Sequence, residues 1–345
     1  MGGLALKNTF TRRYSRQEFE TLWEEMSAIL SKTFKRYCYP RFYHKKESFG
    51  DMDVIISMEG FNQNMREYIE NTFKPNEIFH NGNAWSFDYK ELQIDFITCA
   101  PEDYDSNYHY LAFNDLGNFM GRIAQKMGLK YGQEGLWYNH FHNGQKAGRI
   151  PVSKDYPKIF AYLDLSYDKW LEGFDTLEEI FEYVMGSKYF SADQFQLDQL
   201  NKINRERNAK RKSYMSFLTY VEGMEPNELG KAFMENHKEN LIDRIAFAFP
   251  ESNIKREVKR IEYEDALRAY ATAKFNGGMV MEKYGLKGKE LGDAMTAFRE
   301  VIENEYDNYN EALVSFSDEE IITLFENINR DRLFTNLGKS IGLIK

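Results

Sequence analysis

The spacing of apolar residues changes twice along the chain. From Arg16 to Leu30 they recur every three or four positions behind Ser15-x-x-Glu18, which predicts an amphipathic helix opened by a capping box. Between about 36 and 100 the spacing shortens to two, as in Asp51–Ser57 and Leu92–Ile97, and predicts strands. Helix and strand signals then mix to about residue 160, and Asp175-Thr-Leu-Glu178 opens a further helix. From about 190 onward the pattern is almost wholly helical, with capping boxes expected at Ser191-x-x-Gln194 and Ser317-x-x-Glu320 and Pro226 at a helix start. No repeat or low-complexity linker interrupts it, so the helical part is expected to pack onto the α/β part.

The strand-like run Asp51-Met-Asp-Val-Ile-Ile-Ser57 carries the first chemistry. Alternation puts Asp51 and Asp53 on one face and Met52, Val54 and Ile56 on the other. Two carboxylates side by side repel unless a cation lies between them. Asp-x-Asp after a glycine also occurs in turns, where it caps backbone donors. Asp95 fits that explanation poorly, because an ionised carboxylate in the apolar run Leu92–Ile97 is costly unless paired or metal-bound. If the two strands pair, three carboxylates meet, as in a two-metal site for displacement at phosphorus, and Mg²⁺ is the natural occupant.

Gly50-Asp-Met-Asp-Val-Ile55 followed by Gln93-Ile-Asp-Phe96 resembles the palm of the DNA polymerase beta superfamily, specifically family X polymerases. The likeness continues through Pro101-Glu-Asp-Tyr104, the stretch Tyr108–Gly128, Ile150-Pro-Val-Ser153 and Phe160-Ala-Tyr162, and covers roughly residues 38–185. It implies an α+β nucleotidyltransferase palm, a mixed sheet with flanking helices, followed by a mostly α-helical C-terminal portion. The implied organisation is an N-terminal helix (1–35), a palm and thumb-like region (36–185) and a helical domain (186–345). By position, Asp51 and Asp53 would bind both of two Mg²⁺ ions, with Mn²⁺ an alternative, and Asp95 would bind the catalytic ion and help activate a 3′ hydroxyl. The chain also departs from the family. Pro40 and Arg41 stand where a Gly-Ser pair grips the triphosphate, and proline has no amide to donate. Arg41, Lys45 and Lys46 can supply charge instead. His44 replaces a phosphate-binding arginine, and Gln93 replaces the arginine two residues before the third aspartate. Gly50 joins the implied nucleotide-binding residues, and the family's sugar and base positions fall on His109-Tyr110 and Asn114, with Asn118 close by. Fewer residues precede the palm than a repair-type lyase domain needs, so that activity is expected to be missing.

Residues 201–213 hold six basic residues against one acid. As one helix to Val221, they would carry Leu200, Ile203, Tyr214, Phe217, Leu218 and Val221 on a single stripe, with Arg207 and Lys210 within its sector, Lys202, Arg205 and Lys212 opposite, and Arg211 also in the run. Such a helix is either a contact for a phosphate backbone or a solvated connector. Farther on, Lys274–Gly292 reads as helix, glycine turn, helix, with Gly285 as C-cap, Leu286 pinning the turn, and Lys287 and Lys289 beside the amides that Gly288 exposes. Over about 265–300 it resembles the C-terminal helical region of CCA-adding tRNA nucleotidyltransferases and related poly(A) polymerases, although their Arg-Arg-Asp-Phe motif is absent.

Composition narrows the class. A hydrophobic share of 42% with 16% aromatics can build real cores, and a net charge of −9 excludes a histone-like, wholly basic binder. Cys38 and Cys99 are too few for a disulfide framework, and no signal peptide or 18-residue apolar run occurs, so a cytoplasmic protein is expected. His140-x-His142 lacks partners for a zinc site. No P-loop or GxGxxG opens a helix. The three aspartates and the resemblance to family X polymerases imply a metal-dependent enzyme that adds nucleotides from a (d)NTP to the 3′ hydroxyl of DNA or RNA, including terminal transfer to tRNA or RNA. A transferase acting on protein or a small molecule, or a degenerate nucleic-acid-binding protein, are the other readings.

Overall fold

The computed structural model describes residues 3, 5–142, 144–225, 227, 228, 230, 232 and 239–340. Pro226 lies outside them. Contacts divide the chain into two compact units, residues 1–140 with 149–255, and residues 141–148 with 256–345.

The first unit is α+β. Strand β1 (Tyr14–Ser15) leads into helix α1 (Arg16–Leu30), and the Ser15–Glu18 capping box is formed. Next come β2 (Tyr37–Cys38), β3 (Ser48–Phe49), β4 (Asp51–Ser57) and α2 (Met65–Phe73). The strands β5 (Ile78–Asn81), β6 (Ala84–Tyr89) and β7 (Leu92–Cys99) follow. Five of these strands form a mixed sheet in the order β2-β4-β7-β6-β5, in which only β4 and β7 run parallel. Met52, Val54, Ile56, Ile94 and Phe96 enter one core with Phe19, Leu22 and Met26 of α1 and Ile69 and Phe73 of α2. Asp51 and Asp53 therefore lie on the opposite face, where Ile55 meets Cys99 and Tyr104.

Over that face lies α3 (Tyr104–Leu111), and α4 (Leu116–Lys126) packs against α3. A second sheet of β8 (Leu129–Gly132), β9 (Gly135–His142) and β10 (Gln145–Ser153) follows, then α5 (Tyr156–Tyr162), α6 (Tyr167–Glu172) and α7 (Leu177–Met185). Thr176 caps α7 by accepting from the Glu179 amide. Ser191 does not open a capping box. Its hydroxyl turns to the Asp193 carboxylate, and only a short 3₁₀ turn, Ala192–Phe195, forms.

The basic segment is not one helix. It forms α8 (Lys202–Asn208) and α9 (Lys212–Tyr220), with Arg211 extended between them. The cause is Asp115, only 4% exposed, which pairs with Arg211 at 2.6 Å and accepts from the Ser213 hydroxyl. Satisfying this buried carboxylate outweighs continuing the helix. Ile203 consequently leaves the apolar stripe and is 78% exposed, while Tyr214, Phe217 and Val221 pack inward. Tyr214 and Phe217 join Phe119 of α4.

The described residues of the second unit are helical apart from the ends of β9 and β10. Phe275, Phe298 and Phe325 centre its core. Gly285 ends the helix Gly277–Tyr284 at φ +69°, and Leu286 is buried before the helix Gly288–Glu305. The Ser317–Glu320 capping box is formed. Among the described residues no helix is long and apolar enough to cross a membrane.

Candidate functional site

Parallel pairing of β4 with β7 sets Asp53 opposite Asp95 and Asp51 opposite Gln93. Ligand oxygens of Asp51, Asp53 and Asp95 all lie within 4.8 Å of one another. Among the described residues this is the one group of three side chains able to hold a metal ion. Each aspartate is half-buried, and the crowding shows in their protonation. Burial raises all three carboxyls above the usual range. The charges of Asp51 and Asp95 push Asp53 farther up. The Asp51 charge adds to burial at Asp95, which reaches about 7 although hydrogen bonds from Ser86 and Gln93 oppose the rise. Asp51 is relieved mainly by Lys46. Hard oxygen donors at this spacing, disfavouring their own ionisation, fit a metal cation.

Asp51 and Asp53 open on a cleft of about 320 Å³. Cationic side chains meet them there: Arg13, Lys46, Arg211 and Lys212 line the same cleft, with Ser213 and Ser216 of α9 and an aromatic side formed by Tyr39, Phe42 and Phe49. Arg13 is held by Ser48, donating to its hydroxyl at 2.7 Å and its carbonyl at 2.9 Å. The Lys46 ammonium lies 4.7 Å from the centre of the Phe49 ring. Burial pulls its pKa down while Asp51 and Asp53 push it back up. The amino end of α9 adds a favourable dipole for anions. Two of the three carboxylates and four cationic side chains thus line one cleft.

The other residues marked in the sequence fall in different places. Gly50, Arg41 and Asn114 line the cleft. Arg41, however, spends its guanidinium on the carbonyls of Trp170 (2.8 Å) and Leu171 (2.9 Å) and lies over the Phe113 ring. Asn114 follows buried Phe113, and both adopt left-handed backbone, at φ 62° and 59°. That conformation costs roughly 1–2 kcal/mol for a non-glycine residue. The Phe113 amide is locked to the Arg41 carbonyl at 2.6 Å. His44 and Lys45 pair with Asp175 at 2.9 and 3.3 Å. Tyr110 packs on Tyr131, and Asn118 donates to Asn208. His109 is stacked between Tyr156 and Trp170.

Arg205 caps its own turn through the carbonyls of Leu197 and Leu200. Lys202, Arg207 and Lys210 are exposed on the first unit, and Lys287 and Lys289 on the second. His140 is buried, and His142 pairs with Asp265 at 3.4 Å. Sequence reasoning missed Arg13, Asp115, Ser213 and Ser216. Arg13 precedes the palm-like region without any motif, and Asp115 is a single acid in the turn before α4.

No protein-family model matches the chain, and no curated protein matches it.

Proposed function

We propose that this chain is a metal-dependent nucleotidyltransferase that transfers a nucleotide from a (d)NTP to the 3′ hydroxyl of a nucleic acid. The observation that carries the reading is the three-carboxylate cluster, two of whose members, Asp51 and Asp53, line a cleft together with Arg13, Lys46, Arg211 and Lys212. Asp51, Asp53 and Asp95 hold Mg²⁺, with Mn²⁺ as an alternative. Bound there, the metal would stabilise the oxygens that enter and leave phosphorus. Arg13, Lys46, Arg211 and Lys212 neutralise the triphosphate, so the missing Gly-Ser amides at Pro40-Arg41 are replaced by side-chain charge. Exposed Lys202, Arg207 and Lys210 contact the strand backbone.

The test is strand extension. Labelled DNA and RNA oligonucleotides, single-stranded or template-paired, are incubated with Mg²⁺ and each dNTP or NTP. Metal-dependent addition is expected, and the sugar preference of strand and nucleotide emerges from the same gel. A folded protein that extends no strand refutes the polymerising reading. Charge reversal at Arg207 and Lys210, both outside the cleft lining, should raise KM for the strand several-fold and flatten its salt dependence while leaving KM for the nucleotide unchanged. An unchanged strand KM would instead favour a protein or small molecule as acceptor.

A further inference from the structure

A strap of chain runs past the carboxylate cluster before the first strand. The Gly3 amide donates to the Asp51 carboxylate. The Ala5 and Leu6 amides reach the Gln93 side-chain oxygen at 3.0 and 3.4 Å. Farther along, the Lys7 and Asn8 amides are held by Glu77 at 3.0 and 2.7 Å. At its other end Gln93 gives its amide nitrogen to both oxygens of Asp95, each at 2.9 Å.

Gln93 is only 2% exposed. A side-chain amide has one accepting end and one donating end, and nothing in its shape says which faces where. An arginine would donate in any pose. A glutamine donates to Asp95 only if something else claims its oxygen, and here the strap's backbone amides do so. Turned over, it would set its oxygen against the Asp95 carboxylate and leave two strap amides without that acceptor.

We infer that the strap of Gly3, Ala5, Leu6, Lys7 and Asn8 is a working part of the metal centre, with Gln93 as the positioning residue through which it orients Asp95. This rests on the reading of the three aspartates as a metal site. Gly3 is essential to the fit: it sits at φ +81°, and a Cβ there would come 2.5 Å from the Gly50 carbonyl oxygen. Gly3→Ala must therefore lift the strap from the start of β4.

The experiment is Mn²⁺ titration of the full chain, with free Mn²⁺ followed by its paramagnetic resonance and thermal unfolding recorded beside it. Wild type is compared with Gly3→Ala, Glu77→Ala, Gln93→Leu and Asp53→Ala. Gly3→Ala and Gln93→Leu should each weaken Mn²⁺ binding about tenfold, the usual scale for a residue that orients a metal ligand. The double variant should lose less than the sum of the two. Glu77→Ala, which frees the strap far from the carboxylates, should weaken binding in the same direction. In turnover, excess metal should rescue the strap variants but not Asp53→Ala. Wild-type affinity in both strap variants, with Asp53→Ala deficient, overturns the strap proposal alone. No Mn²⁺ binding by the wild type overturns the metal-centre reading itself. Should Gly3→Ala or Gln93→Leu unfold, Glu77→Ala decides.

Discussion

Asp53→Asn is expected to cut nucleotidyl transfer by at least about 10³-fold, equivalent to roughly 4 kcal/mol, and yet to make the metal-free protein more stable above pH 7. The two effects share one cause. Asp53 stands between two other carboxylates and is half-buried, so its charge is useful to a metal and costly without one. The folded protein holds a proton on these groups more tightly than the unfolded chain does, with Asp95 titrating near 7 and Asp53 well above its usual range. Their contribution to stability is therefore complete below about pH 4, where both states are protonated, and is lost as pH rises through the folded values. Without metal, Tm should fall between pH 5 and 8, and Asp53→Asn should flatten that slope. Saturating Mg²⁺ should restore the wild-type Tm at pH 8 and leave the variant unmoved. Thermal melts across pH with and without Mg²⁺ decide this. A metal-free Tm independent of pH would mean that the cluster is not strained.

How much of this was legible in the sequence depends on how far each interaction reaches along the chain. Alternation in Asp51–Ser57 is local, so the facing of Asp51 and Asp53 against Met52, Val54 and Ile56 could be read from residue order alone. Asp95 stood out because its neighbours are apolar. The pairing that brings it opposite Asp53 was less visible, since β5 and β6 intervene and only tertiary packing sets the parallel register. The amphipathic and capping signals of α1 and of the helix Asp318–Ile328 held because their partners lie within one turn. Ser191 carried the same motif, but Asp193, two residues on, takes its hydroxyl.

Long-range polar contacts account for most of what stayed hidden. The break between α8 and α9 depends on Asp115, and it sets Arg211 and Lys212 in the cleft lining. No periodicity announces such a contact, because a continuous helix through 209–211 satisfies every local preference. Gln93 is similar. In the sequence it reads as a lost arginine, whereas in the fold its meaning comes from the amides of Ala5 and Leu6.

Trp170→Ala is expected to destabilise the first unit by about 3–5 kcal/mol, the range for deleting a large buried aromatic ring, and to impair the cleft as well. Trp170 is 1% exposed. Its ring stacks on His109 at 4.6 Å and on Tyr167 at 5.6 Å, and meets Phe113 and Phe160 edge-on. Arg41 lies over both Trp170 and Phe113. Removing the indole leaves a cavity beneath the pair that holds Phe113 and Asn114 in left-handed backbone, and those residues lose the packing that offsets their strain. Trp170→Phe separates the two contributions. The indole nitrogen has no hydrogen-bond partner among the described residues, so phenylalanine sacrifices volume but none of the hydrogen bonds seen there. It should cost well under half as much as alanine and keep Asn114 at the cleft edge. Chemical denaturation of both variants, with KM for the nucleotide measured beside it, tests the link. If Trp170→Ala leaves KM unchanged despite the lost stability, then the aromatic cluster supports the fold but does not shape the cleft.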